Sequence, residues 1–340
     1  MNGKPTKPPF RAVILAAFAL ILTENWAVAA KKPHPSGPFI SNASILDAHS
    51  YFPSIIPYQS WSGLLVLPIR VNSGPFINCL FDPGLPVTTL DPKVAEQSKL
   101  TGGNQVTVIS PLGPVNAPLA VAQELMLGSI TIKQTPIAIT NLLEAYTNPV
   151  PPNAPVGWIG ETSLGQIQFT VDFSRGIVTI NRSGTPFDKS AVVVPLLINN
   201  QRLYVMASAL KGKKFKALVS FGVQSGLIPA QIAEQLKLKS VGEVDANTLN
   251  KHSAKAVLVN VPEVSVGRAM VREVSAAYIM PPAGIKKPSD TGVLGLDFWR
   301  HFRVTIDIKR RKLALDSLLA APPIPTHHPK AGHKIIRIRR

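Results

Sequence analysis

A mainly β fold of two similar lobes follows from three features of the chain. Short runs rich in Val, Ile and Thr are closed by turn residues at short intervals, and long helical periods are scarce. With the N-terminal leader set aside, about 310 residues remain, enough for two domains with real cores. Most tellingly, one set of motifs occurs twice. Phe76-Ile77-Asn78-Cys79-Leu80-Phe81 runs into Asp82-Pro83-Gly84 and then Pro92–Gln97; Phe215-Lys216-Ala217-Leu218-Val219 runs into Ser220-Phe221-Gly222 and then Pro229–Leu236. Asp82 and Ser220 are 138 positions apart, and Glu124–Gly128 recurs as Glu263–Gly267 at an offset of 139. Gly157-Trp158-Ile159-Gly160 answers Gly292-Val293-Leu294-Gly295, with an Asp twelve positions after the last Gly both times, Asp172 and Asp307. A period this long means two lobes, not a solenoid of short units.

Along the chain, the first element is a leader over 1–29. Lys4, Lys7 and Arg11 form a basic start, Ala12–Leu22 an apolar stretch, and Ala27-Val28-Ala29 a small-residue cleavage site. The apolar run is too short to span a bilayer, so it predicts a removed signal peptide and an exported protein, periplasmic or secreted. Residues 30–59, rich in Pro and Ser, predict an extended arm. Lobe one is expected over 60–185. Its strands begin with Leu64–Val71 and the Asp82 strand, followed by a short helix ending near Leu100. Gln105–Ile109 leads into a hairpin tip near Pro111–Pro114, with further strands around Leu125 and Pro136–Thr140. Phe169–Phe173 and Ile177–Ile180 read as a hairpin turning at Ser174-Arg175-Gly176, and Ser183–Ser190 as the linker. Lobe two, 190–319, repeats this order, and 320–340 reads as a basic disordered tail with nothing to bury.

Charge and cysteine content narrow the partners. The formal charge is +17; residues 1–32 carry a net +4 and residues 324–340 a net +5, so the body between is also basic. A basic body and tail favour anionic envelope surfaces. The alternating end, Lys334–Arg340, is too short to anchor stably. Without interleaved aromatics or a nucleic-acid module, sequence-specific nucleic-acid binding is not expected. The single cysteine, Cys79, has no partner for an internal disulfide and reads as a small buried hydrophobe.

The repeated motifs resemble the aspartic protease family, in its retropepsin-like, bacterial exported branch. That family places an Asp-Thr-Gly after an apolar strand and closes each lobe with paired apolar residues and a Gly. Leu80-Phe81-Asp82-Pro83-Gly84 is similar to the first motif; Trp158-Ile159-Gly160 and Val293-Leu294-Gly295 are similar to the second. The resemblance covers about residues 60–185 and 190–318. It implies an acid-protease β-barrel fold, with the Asp82 and Ser220 loops facing each other at the base of an inter-lobe cleft and a flap-like hairpin near Pro111–Pro114. In the family each lobe supplies one Asp, and the two carboxylates share a proton, because like charges that close cannot both ionise. One then acts as base toward water and the other as acid toward the peptide carbonyl. Asp82 matches the first; Ser220 stands at the second, and a serine offers neither acid nor base near neutral pH. The family's Thr, whose hydroxyl helps lock the two loops, is replaced by Pro83 and Phe221, while Gly84 and Gly222 persist.

The resemblance thus implies a catalytically inactive homologue, a pseudoenzyme, whose cleft binds a peptide or another extended ligand. The alternative is an active endopeptidase that brings together Asp82 from two chains. Asp82 is either a lone carboxylate for a cationic or hydrogen-bonding group, or a loop residue bonded to nearby backbone amides. No cofactor is expected. Ser220 has no suitable His, since His252 and His301 lie in a polar loop and a helix-like segment and the others fall in the arm or tail. His327, His328 and His333 lack the spacing of a closed metal site. Asp172 and Asp307 read as turn or strand-pair residues, and Asp297 as the N-cap of a short helix. The ligand and the oligomeric state are not legible.

Overall fold

The computed structural model describes residues 45–110, 113–141, 154–247, 253–279 and 290–318. The leader, the first part of the arm, Pro111 and Leu112 at the hairpin tip, His252 and the basic tail lie outside the described residues. Lobe one holds β1 (Ile45–Leu46), β2 (Ser54–Pro57), β3 (Gln59–Trp61), β4 (Leu64–Val71), β5 (Phe76–Phe81), β6 (Thr88–Leu90), β7 (Gln105–Ser110), β8 (Gly113–Leu127), β9 (Ile130–Ile139), β10 (Gly157–Ile159), β11 (Ile167–Asp172) and β12 (Ile177–Arg182). Lobe two holds β13 (Val192–Pro195), β14 (Leu197–Asn199), β15 (Arg202–Ala209), β16 (Lys213–Val219), β17 (Gly226–Leu227), β18 (Ser240–Asn247), β19 (Ser253–Val266), β20 (Ala269–Ile279), β21 (Thr291–Leu294), β22 (Phe302–Asp307) and β23 (Lys312–Ser317).

Each lobe closes a six-stranded barrel of mixed strands. In lobe one the circuit runs β9-β6-β10-β5-β4-β8 and back to β9; in lobe two it runs β20-β17-β21-β16-β15-β19 and back to β20. The parallel pairs match too: β5 with β10 and β6 with β9 on one side, β16 with β21 and β17 with β20 on the other. Closure removes the open edges that such short strands would otherwise present.

The apolar runs of β5 and β16 are explained by burial on both faces. Ile77, Cys79 and Phe81 alternate into the main core, while Leu80 turns to a second cluster with Val66, Leu85 and Trp158. Phe215, Ala217 and Val219 do the same in lobe two, with Leu218 joining Tyr204, Val223 and Val293. Cys79 is free and fully buried, and burial drives its thiol pKa far up, so it packs as a hydrophobe.

A third sheet joins the lobes in the order β13-β23-β22-β11-β12-β2. Its centre is the antiparallel pair of β11 and β22, where Thr170 faces Thr305 with their hydroxyls 2.9 Å apart. Phe169, Val171, Val304 and Ile306 on the inner face of that pair are all 0 % exposed and belong to one core that runs through both lobes. The second half of the arm takes part, since β2 pairs with β12. The linker is fastened to the same sheet: Ser183 Oγ and Gly184 N donate to Asp307 at 2.7 and 2.8 Å, and Gln168 Nε2 donates to the Thr185 carbonyl at 2.7 Å.

Candidate functional site

Asp82 and Ser220 each leave the end of a core strand and are drawn under the neighbouring parallel strand. Asp82 N donates to the Ile159 carbonyl at 3.1 Å, and Ser220 N to the Leu294 carbonyl at 3.2 Å. The two loops therefore approach each other from opposite lobes with the same backbone anchoring. Both side chains are 0 % exposed.

The two residues touch. Ser220 Oγ donates to Asp82 Oδ2 at 2.9 Å. Asp82 Oδ1 accepts from Phe221 N of the other lobe at 2.9 Å and from Gly84 N of its own loop at 2.9 Å. Gly222 N donates to Ser220 Oγ at 3.2 Å, the lobe-two counterpart of the Gly84 contact. Burial pushes the Asp82 carboxyl above its ordinary value, opposed by the Phe221 and Gly84 amides and the Ser220 hydroxyl, which favour the ionised form. Desolvation outweighs them. The result is one carboxyl in a buried joint, gripped by donors from both lobes, with a hydroxyl where a second carboxyl would be needed to share its proton.

Pro83 and Phe221 stand at the two positions where the resemblance implies threonine. Phe221 is fully buried, with its ring centroid 6.2 Å from Phe81, 6.0 Å from Phe173 and 6.2 Å from Trp299. An aromatic joint, edge-to-face at Phe173 and Trp299 and tilted at Phe81, thus spans the lobes where the resemblance places a hydroxyl network. Pro83 is buried as well. Gly84 and Gly222 are required by close approach: a Cβ on Gly84 would run into the Val219 carbonyl of lobe two, and one on Gly222 would come within 2.5 Å of Asp82 Oδ2 and 3.0 Å of the Trp158 ring.

Gly160 and Gly295 lie beneath the loops at the N-caps of the helices Glu161–Leu164 and Leu296–Trp299. Gly160 N donates to Thr88 Oγ1 at 3.0 Å, and that hydroxyl is 2.5 Å from Ser163 Oγ. In lobe two the corresponding polar link is Ser225 Oγ to Asp297 Oδ2 at 2.8 Å. The expectation that Asp297 caps its helix is corrected: Gly295 occupies the cap, and Asp297 lies one residue inside the helix start, paired to Arg300 at 2.8 Å. Its two oxygens are taken by Ser225 and Arg300 side chains, not by backbone amides of the helix start. His301 follows the same helix and takes no part in the Asp82–Ser220 joint. Asp172 accepts from Ser174 and Arg175 in its turn, and Asp307 from the linker and Arg310 N. Both are turn carboxylates.

Sequence reasoning missed the aromatic joint, the Thr88–Ser163 and Ser225–Asp297 links, and a contact between Gln224 and Ser62. The motif repeat carries no sign of them, because none has the same residue types in both lobes. Among the described residues no group of three or more His, Cys, Asp or Glu could hold a metal ion, and no helix is long and apolar enough to cross a membrane. A polar groove of about 360 Å³ lies on the outer face of the inter-lobe sheet, around Thr170 and Thr305, and neither Asp82 nor Ser220 lines it.

Residues 206–298 match the aspartyl protease family. The match runs from β15 through the Ser220 loop to the helix Leu296–Trp299. Lobe two therefore carries a retropepsin-like aspartyl protease domain, and the twin barrels give the chain the two-lobed acid-protease fold. No curated protein matches the chain.

Proposed function

We propose that this chain, with its aspartyl protease domain in the lobe that lacks the catalytic Asp, is an exported, catalytically silent homologue whose inter-lobe cleft binds a peptide or another extended ligand. The observation that carries the reading is the Ser220 hydroxyl donating to the Asp82 carboxyl at 2.9 Å. Peptide hydrolysis in this fold needs a base to take a proton from water and an acid to give one to the carbonyl oxygen. One carboxyl is either ionised or protonated, and a serine supplies neither function near neutral pH. General acid–base assistance is worth about 10²–10⁴-fold per group, and here the two groups depend on each other. Export rests on the leader over residues 1–29, and attraction of the basic body and tail to anionic envelope surfaces on the charge of +17.

Pairing of Asp82 from two chains is disfavoured by packing: the partner surface of Asp82 is already filled by Ser220 and Phe221 of the same chain. The test is incubation of the mature protein and an Asp82→Asn variant with a diverse unfolded peptide mixture from pH 3 to pH 7. Retention of peptides without cleavage by either protein is the expected result. Cleavage that disappears in the variant would overturn the silent reading and point to an active dimer. Absence of any retention would remove the binding reading.

A further inference from the structure

The lobes also touch at Gln224. Gln224 stands four residues beyond Ser220 and is 9 % exposed. Its Nε2 donates at 3.3 Å to the carbonyl of Ser62, in the turn between β3 and β4 of lobe one. That turn is shaped around the amide. Ser62 and Gly63 both have positive φ, 48° and 81°, and a Cβ on Gly63 would collide with Gln224 Nε2. Trp61 and Trp158 pack in the same lobe-one cluster as Leu80 and Leu85, and Trp158 reaches over Gly222. Gly222 lies against both the Trp158 ring and the Asp82 carboxyl, and that carboxyl and the Ser220 hydroxyl are 0 % exposed.

We infer that Gln224 is a latch on the cleft: a ligand enters only after the Gln224 amide releases the Ser62 carbonyl and the β3–β4 turn lifts. The inference rests on the cleft-binding reading above and adds its control. Release leaves an amide donor on one lobe and a carbonyl acceptor on the other. Extended peptide main chain offers the matching C=O and N–H, so the ligand replaces the latch with two hydrogen bonds of its own. In the closed state apparent affinity is reduced by the fraction of molecules that are open.

The latch is tested by hydrogen exchange, with no ligand present. Phe221 N and Gly222 N, bonded to Asp82 and Ser220, report opening of the joint, and the amides of β11 and β22 report opening of the whole fold. Gln224→Met keeps length and apolar bulk without the donor; Gln224→Ala removes both. Loss of one hydrogen bond is expected to speed exchange at Phe221 and Gly222 about three- to tenfold in both variants, with β11 and β22 unchanged. Equal exchange at Phe221 and Gly222 in all three proteins would overturn the latch, as would acceleration of equal size in β11 and β22. Faster exchange in the variants, with no peptide retained by any of the three proteins, leaves the latch standing and removes the peptide-binding reading instead.

Discussion

Glu161 makes the fold's stability depend on pH, and the two lobes supply the comparison that shows why. Glu161 N donates to the Leu85 carbonyl at 2.8 Å, and Leu296 N donates to the Val223 carbonyl at 2.9 Å, so the two residues open equivalent helices. Leu296 is 3 % exposed and belongs to the core. Its counterpart is a carboxyl in a core-like position, and burial pushes the Glu161 pKa from 4.5 to about 7. A folded-state pKa above the unfolded one means the folded protein holds the proton more tightly. The fold is therefore favoured at low pH, and this contribution is lost as pH rises from 4.5 through 7. At about 1.4 kcal/mol per pH unit, the charge costs the fold about 3 kcal/mol at pH 8, or about 2 kcal/mol with its partial exposure allowed for. Glu161→Gln keeps the shape without the charge. Urea denaturation at pH 4, 6 and 8 should give equal stability for the two proteins at pH 4 and a variant more stable by about 2–3 kcal/mol at pH 8. A difference that stays constant across the range, or a variant less stable at pH 8, would refute the reasoning.

The site yields three more predictions. Phe221→Ala empties an aromatic joint that touches Phe81, Phe173 and Trp299, and should cost about 3–5 kcal/mol in urea unfolding. Ser220→Ala removes one donor from the buried Asp82 carboxyl, raising its pKa further; the expected loss of about 1–3 kcal/mol should be greatest at high pH, where the carboxyl is ionised, and shrink as pH falls through its raised pKa. Gly222→Ala places a methyl within 2.5 Å of Asp82 Oδ2 and 3.0 Å of Trp158, so the Asp82 carboxyl must shift and strain its hydrogen bonds. Its unfolding midpoint should fall while Gly176→Ala, in an open turn with nothing within 4 Å, loses only what its positive φ costs, about 1 kcal/mol.

Much of the site was legible because its parts recur at a fixed offset. Asp82, Ser220, Gly84 and Gly222 occupy matched positions after matched strands, and the loss of the second carboxyl is plain in the letters. Phe221 could be read only as a missing hydroxyl; that its ring fills the joint depends on Phe81, Phe173 and Trp299 arriving from distant segments. Asp297 was misread as a cap because a carboxylate beside a helix start is ordinarily one. Its true partner, Ser225, is 72 residues away.

Strand type, the twofold repeat and the residues of the joint were determined by the sequence itself, since side-chain period and motif order are local properties that survive without a partner. The tertiary structure alone decided the rest. It closed each barrel through pairings such as β8 with β9 and β15 with β19, drew β2 into a sheet with β12, and set Gln224 against Ser62 across 162 positions. Those contacts depend on how two twisted sheets pack around one shared core, and no local pattern encodes which carbonyl an amide will meet after that packing.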